Sequence, residues 1–215
     1  MSTAGRAVID SVRAALGRQA GTPVDPRPEI LPPRQAADPE AEVDQLLSEV
    51  NALAGVAKRV GPDEIEASLR NLIEQETVRR ATLWSSPTLR RLDVEGRLRA
   101  CGVEIVAPDA DKHALAQCDL GVTEADFALP ETGTLGLLSS PERPRAVSLL
   151  PRVHLAIVSR SAFRADLHQV FSEAKAHPYL ILISGPSRTA DIELTVTLGV
   201  HGPRALHLWV LSDGD

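Results

Sequence analysis

Arg188 stands in a segment whose residue types suit the binding of an anion. The apolar run of residues 179–183 is typical of a buried parallel strand, and the Ser-Gly-Pro-Ser sequence after it predicts a tight turn. Thr189 or Ser187 can cap a helix that continues to Leu198, and unpaired N–H groups at a helix N-terminus bind phosphates and carboxylates. The expected ligand-binding residues of this segment are Ser184, Gly185, Ser187, Arg188, Thr189 and Asp191.

Asp191 and Glu193 leave a second interpretation of this segment open. Both would lie in the first turn of the expected helix, where carboxylates offset the helix macrodipole. Asp191 could also orient Arg188 for a ligand. A permanent ion pair between Arg188 and either carboxylate would instead tighten the loop and leave no donors for an anion.

Glu131 begins a second polar cluster, in a turn between two apolar segments. A carboxylate there could act as a base or nucleophile if neighbouring residues buried it. An exposed turn carboxylate without a catalytic role is the alternative. The residues that follow it, Thr132, Gly133 and Thr134, are predicted to bind ligand with it.

His201 and Gly202 form a third cluster. Ligands in open α/β sheets collect beyond the carboxyl ends of the strands, so we expect the three clusters to converge there. His201 could transfer protons near neutral pH, or it could bond the last carbonyl groups of a helix. His154 and His207 fall in strand patterns and are expected in the core or on a sheet face. No spacing of His, Cys, Asp and Glu indicates a metal site.

Strands alternate with helices along much of the chain, which predicts an α/β fold with a mostly parallel sheet and helices on both faces. Four apolar segments in the middle lie too close together for crossover helices, so a mixed sheet with an antiparallel insertion is expected. These segments are residues 127–129, 134–139, 145–149 and 153–159. The other predicted strands are 81–84, 103–106, 120–123 and 205–211, and the predicted helices include 3–18, 43–56, 65–73, 87–98, 109–118 and 161–176.

Composition narrows the class of protein. The chain has 215 residues, of which 43% are hydrophobic, and no apolar run is long enough for a membrane span. A net charge of −6 argues against nucleic-acid binding. The N-terminus resembles neither a secretory signal nor a transit peptide, so we expect a cytoplasmic protein. Residues 1–40 are expected to form an N-terminal helix and a proline-rich linker, and residues 41–215 the α/β domain.

Two cysteines, Cys101 and Cys118, are the only thiols of the chain. No C-x-x-C motif occurs, so we expect neither an iron–sulfur cluster nor a structural zinc ion to be held by this chain's own thiolates. Both are expected to be buried, reduced core residues.

Three segments together resemble the LUD domain family, and in particular its lactate utilisation protein C (LutC) group. They read VTEADFALPETGTLGLLSS, RAVSLLPRVHLAIV and ISGPSRTADIELTVTLGVHGPR, and the resemblance extends over about residues 41–215. It implies a Rossmann-like fold akin to ribose-5-phosphate isomerases and CoA transferases. It also implies a cytoplasmic component of a three-protein system that oxidises L-lactate to pyruvate, with iron–sulfur clusters in the partner subunits and no cofactor in this chain.

Two other functions remain open at this point. Glu131-Thr132-Gly133 is similar to the Glu-Xaa-Gly of CoA transferases, in which Glu is the nucleophile. A stand-alone CoA transferase or phosphosugar isomerase is therefore one alternative, on fold-level analogy. A regulatory or scaffolding subunit without catalysis is the other.

Overall fold

A computed structural model describes residues 3–19, 34–189 and 197–212. The chain separates into two compact units, Met1–Pro32 and Pro33–Asp215. Helix α1 (Thr3–Ala15) lies in the first unit and confirms the predicted N-terminal helix, although it ends three residues earlier than expected. Every other element described below belongs to the second unit.

Helix α2 (Pro39–Ala52) begins where Asp38 accepts hydrogen bonds from the N–H groups of Glu40 and Ala41. Its buried face includes Val43, Leu46 and Val50. The predicted extension of this helix to Val56 is wrong, because Ala54 adopts a positive φ of 62° and the chain then enters β1 (Val56–Val60).

The remaining elements of the parallel sheet follow in order. Helices α3 (Ile65–Glu76), α4 (Pro87–Arg91), α5 (Val94–Ala100) and α6 (Lys112–Ala116) alternate with strands β2 (Arg80–Leu83), β3 (Glu104–Val106) and β4 (Leu120–Glu124). The predicted single helix over residues 87–98 is two helices, since Asp93 interrupts it with a φ of 45°. Helix 109–118 is confirmed in a shorter form, with Asp111 as its cap.

Strands β5 (Phe127–Leu129), β6 (Thr134–Ser139) and β8 (Tyr179–Ile183) form a separate antiparallel sheet in the order β5-β6-β8. The expectation that Tyr179–Ile183 is a buried parallel strand is wrong, because β8 is an edge strand with Tyr179 and Leu182 exposed. Residues 145–149 are also not a strand, since Ala146–Leu149 is helix α7.

Strand β7 (Val153–Val158) and strand β11 (Ala205–Leu211) complete a six-stranded sheet in the order β1-β11-β7-β4-β2-β3, in which every pair is parallel. Helices flank this sheet, and the α/β fold class is therefore as predicted. Parallel and antiparallel strands occupy two sheets instead of one mixed sheet. Strand β7 is buried along its whole length, as expected for the centre of a covered parallel sheet.

Helix α8 (Leu167–Ala174) is shorter than the predicted helix 161–176. Val170 is buried, whereas Leu167 and Phe171 are exposed. The two ends of the helix predicted here are strand residues instead, because β9 (Arg188–Thr189) pairs with β10 (Thr197–Leu198) in an antiparallel ribbon. The middle of the predicted helix, residues 190–196, lies outside the described residues. Asp191 and Glu193 lie outside the described residues.

The second unit has a large core cluster that contains both tryptophans, Trp84 and Trp209, and a smaller one that includes Phe127 and Val170. Cys118 is buried as expected, whereas Cys101 is only half-buried. No helix within the described ranges is long and apolar enough to cross a membrane.

Candidate functional site

Two loops that the sequence singled out bind each other through their backbones. The N–H of Ser187 donates to the carbonyl of Pro203 over 2.9 Å, and the N–H of Gly199 donates to the carbonyl of Ser187 over 2.9 Å. A Cβ atom on Gly202 would lie 3.2 Å from the Cβ of Ser187. The structure therefore brings Ser187 and Gly202 together, as expected for members of one site.

These loops enclose a small cavity, which we call the Ser184 cavity. Its volume is about 190 Å³. Residues of α7, β7, β8, β11 and the two loops line it, and those with polar side chains are Ser148, His154, Ser184, Ser187 and His201.

The Ser184 cavity lies beside the amino ends of the parallel strands, because His154 and Leu206 are the second residues of β7 and β11. We expected these loops to converge beyond the carboxyl ends of the strands, and that prediction is wrong. The reason is topological. Strand β8 belongs to the antiparallel sheet, and the loop that contains His201 precedes β11 instead of following a parallel strand.

His154 is a member of this cavity that sequence reasoning placed only in the core or on a sheet face, and it is indeed 1% exposed. Its Nε2 lies 2.9 Å from the hydroxyl of Thr123 on the neighbouring strand β4. Within the described part of the chain, its Nδ1 has no hydrogen-bond partner. Burial lowers the pKa of His154 from 6.5 to about 3, so the imidazole is neutral near pH 7.

A chain of hydroxyl groups connects the cavity to the second polar cluster. The hydroxyls of Thr132 and Thr134 are 2.8 Å apart, and the hydroxyl of Thr134 lies 2.7 Å from that of Ser184. Thr134 is only 6% exposed, and burial strengthens the preference of such hydroxyls for one another. Thr132, Thr134 and Ser184 are thus brought together, although they lie on different strands and loops.

Gly133 and Gly185 hold both clusters against the C-terminal turn of α2. Gly133 has a φ of 60°, and a Cβ on it would lie 3.0 Å from backbone atoms of Glu49 and Val50. Gly185 has a φ of 83°, and a Cβ on it would lie 2.9 Å from the carbonyl oxygen of Leu53. Both positions require glycine because of the positive φ and the close approach of another backbone.

Arg188 also contacts this end of α2. Its guanidinium donates to the carbonyl of Leu53, the residue that caps the helix C-terminus. A cation at that position is favourable because the carbonyl end of a helix is partially negative. Arg188 therefore lies in β9 and not at a helix N-terminus as predicted, and it contacts the C-terminal end of α2. The carboxylates predicted to pair with it, Asp191 and Glu193, lie outside the described residues. Its neighbour Thr189 pairs with Thr197 across the ribbon.

Glu131 lies outside the Ser184 cavity. Its side chain is 61% exposed, and its nearest cation is Arg34, whose Nε lies 4.0 Å away. Arg34 is held mainly by Glu42, through two hydrogen bonds of 2.8 and 3.0 Å that keep the pKa of the Glu42 carboxyl below its usual range. The burial that a catalytic role for Glu131 required is absent, and among the described residues the cavity lining does not include it.

His201 is exposed and lines the cavity. It follows the strand β10, so the alternative role of bonding a helix C-terminus does not apply to it. The polar side chains of the cavity lining are thus three hydroxyls and two imidazoles, with no Asp, Glu, Lys or Arg among its described lining residues. Across the described ranges, no three His, Cys, Asp or Glu side chains lie close enough to hold a metal ion.

The parallel six-stranded sheet with an appended antiparallel sheet defines an α/β protein whose polar loops gather at the amino edge of the sheet. A model of the LUD domain matches residues 43–211, so the chain belongs to the LUD domain family.

Two relatives in this family match almost the whole chain. One is lactate utilization protein C of Halalkalibacterium halodurans, which is 30% identical over 219 residues that cover 94% of this chain and 95% of that protein. Lactate utilization protein C of Shouchella clausii is 29% identical over 225 residues, which cover 95% and 96% of the two chains.

The crystal structure of a DUF162 family protein from Deinococcus radiodurans has a similar fold, with a TM-score of 0.60. The match covers 82% of this chain and all of that chain, at 18% sequence identity. At this level of identity, the likeness shows a shared fold.

Proposed function

We propose that the chain is a cytoplasmic subunit of a lactate utilisation system that oxidises L-lactate to pyruvate. The observation that carries the proposal is the end-to-end similarity to proteins named lactate utilization protein C, which extends over 94% of the chain. In this proposal, partner subunits hold the iron–sulfur clusters that accept the electrons. The chain's two cysteines support that division, because an all-cysteine cluster needs four thiolates.

The Ser184 cavity is the part of the subunit that we propose for a small carboxylate such as lactate or pyruvate. Its size of about 190 Å³ suits a molecule of a few heavy atoms. The hydroxyl of Ser187 and the imidazole of His201 line it and can donate hydrogen bonds to carboxylate oxygens. Gly202 lets its loop pack closely against Ser187, because a Cβ there would lie 3.2 Å from the Cβ of Ser187. Glu131 and Arg188 have no part in this proposed site.

Calorimetry tests this cavity directly. Titration of the full chain with pyruvate and with L-lactate should show binding, and His201→Ala should weaken it by about 5- to 150-fold, the effect of losing one hydrogen bond of roughly 1 to 3 kcal/mol. The matched control is His168→Ala, because the side chain of His168 is 67% exposed and lies on α8 away from the cavity lining. Absence of binding in the parent, or equal weakening by both variants, removes the carboxylate site from the proposal.

Growth on L-lactate tests the role of the whole subunit. Deletion of the gene should abolish that growth, and a plasmid copy of the parent should restore it. If the His201→Ala copy restores growth as well as the parent, the subunit acts as a scaffold and the cavity is not used. If the deletion strain still grows on L-lactate, the proposed function is wrong.

A further inference from the structure

A second cavity lies at the other edge of the parallel sheet. Its volume is about 330 Å³. Residues that directly follow three parallel strands line it: Asp63 after β1, Ser159 and Arg160 after β7, and Ser212 after β11. Ligands of open parallel sheets bind in crevices at this carboxyl edge, whereas the Ser184 cavity lies beside the amino ends. We call this second cavity the arginine crevice.

Three guanidinium groups line the arginine crevice, from Arg91 on α4, Arg97 on α5 and Arg160 after β7. Only one carboxylate, that of Asp63, is among its described lining residues. Helix α3 begins at Ile65, which also lines the crevice, so the partially positive end of that helix adds to the charge. The described lining residues thus include three arginines and one carboxylate.

Carboxylates behind the lining position these arginines without filling the crevice. Arg160 contacts Glu40, whose pKa is held below its usual range by hydrogen bonds from Arg59 and Arg160. The Nε of Arg97 donates to the carbonyl of Leu92 over 3.0 Å, and its Nη1 lies 3.5 Å from Oε2 of Glu66. A guanidinium has five N–H donors. Glu40 therefore does not use all the donors of Arg160, and the carbonyl of Leu92 does not use all those of Arg97.

We propose that the arginine crevice is a second ligand site and that it binds a small molecule bearing phosphate. Guanidinium forks match the oxygens of phosphate, and three of them around one space suit an anion with more than one negative charge. The crevice is larger than the Ser184 cavity, by about 330 against 190 Å³, and lies within the size range of small-molecule sites. It therefore suits a metabolite larger than lactate.

Titration calorimetry of the full chain with pyrophosphate and with inorganic phosphate tests this site. Pyrophosphate should bind more tightly than phosphate, and Arg97→Gln should weaken its binding about tenfold or more. Arg99→Gln is the matched control, since Arg99 lies on the same helix, pairs with Glu95 and is not a lining residue of the crevice. Asp63→Asn should act in the opposite direction and tighten binding, because it removes the one repelling carboxylate.

Three results would overturn the site. They are no binding of pyrophosphate by the parent, equal weakening by Arg97→Gln and Arg99→Gln, or weaker binding by Asp63→Asn. Circular dichroism of each variant shows whether it is folded, and Asp63→Asn keeps the test decisive if Arg97→Gln does not fold. Each outcome is independent of lactate binding, which concerns the other edge of the sheet.

Discussion

His154 is a neutral imidazole in the middle of a parallel sheet, and its burial determines how the protein responds to acid. In the unfolded chain its pKa is near 6.5, and in the folded protein it is about 3. Between these values the unfolded state binds more protons than the native state, so stability must fall as the pH falls. Above pH 6.5 this contribution is fully present.

The pH dependence gives a direct prediction. As the pH drops from 6.5 toward 3, His154 alone should remove up to about 1.4 kcal/mol of unfolding free energy for each pH unit. Urea unfolding at several pH values measures this slope. A His154→Gln variant should be less stable at pH 7 and should show a shallower slope. If parent and variant have the same slope, the proton is not excluded from His154 in the native state.

The hydroxyl of Thr123 forms a hydrogen bond with the Nε2 of His154, and Thr123 is fully buried. Thr123→Val should destabilise the protein by about 1 to 3 kcal/mol, because it leaves the Nε2 of His154 without a partner. Thr82 on β2 is an equally buried threonine whose hydroxyl has no partner among the described residues. Thr82→Val should therefore be neutral or stabilising.

Chemical denaturation of both threonine variants at pH 7 provides the measurement. The two substitutions are identical in chemistry and burial, so the difference between their unfolding free energies isolates the bond to His154. Equal effects of the two substitutions would contradict the importance of that bond.

At the scale of elements, the C-terminal turn of α2 organises the candidate site. Gly133 and Gly185 approach its backbone, and Arg188 donates to the carbonyl of Leu53 at its end. Movement of this turn would therefore displace both the Thr132–Thr134 segment and the loop of the Ser184 cavity. The helix acts as a shared support for residues that are far apart in sequence.

The contact of Gly133 with α2 can be tested with two alanine substitutions. Gly133 and Gly102 both have positive φ angles, of 60° and 80°, so an alanine at either position is strained by about 1 to 2 kcal/mol. A Cβ at Gly102 would meet nothing within 4 Å, whereas one at Gly133 would lie 3.0 Å from α2. Gly133→Ala should therefore destabilise the protein more than Gly102→Ala, by at least about 1 kcal/mol.

Thermal unfolding of the two glycine variants measures this difference. A lower melting temperature for Gly133→Ala than for Gly102→Ala is expected. Equal melting temperatures would mean that α2 adjusts without loss and does not fix the position of the loop.

Sequence patterns predicted most elements but not the sheet that each strand joins. The apolar run of β8 looks like a buried parallel strand. A short apolar run does not distinguish a strand buried on both faces from a strand buried on one face. The segment from Thr189 to Leu198 fits a helical period, yet both of its ends are strands. The pairing of two strands in a ribbon is a tertiary contact, and the local periodicity of apolar residues does not predict it.

The candidate site was predictable only in part for the same reason. Ser187 and Gly202 meet as expected, and Thr134 meets Ser184. His154 could not be recognised as a cavity residue from the sequence. A histidine within an apolar strand does not indicate which groups will surround it or which ring nitrogen will lack a hydrogen-bond partner. Glu131 occupies a turn as predicted, but its exposure depends on how Arg34 and α2 pack around it.

At the scale of the whole molecule, two cavities lie at opposite edges of one parallel sheet. The Ser184 cavity is smaller and is lined by hydroxyls and imidazoles, and the arginine crevice is larger and is lined by three arginines and one aspartate among the described residues. Nearly all the lining residues of both cavities lie within the LUD domain match, which spans residues 43–211. The two ligand sites that we propose would therefore not overlap.

The central claim is that this protein works in one assembly with iron–sulfur subunits that oxidise lactate. The most direct measurement is anaerobic copurification of the tagged chain with its coexpressed iron–sulfur lactate utilisation subunits, followed by an optical spectrum of the eluate. We expect the subunits to elute together, with broad cluster absorbance that bleaches when L-lactate is added. Elution of the tagged chain alone, colourless and without lactate-dependent change, would contradict the proposed function.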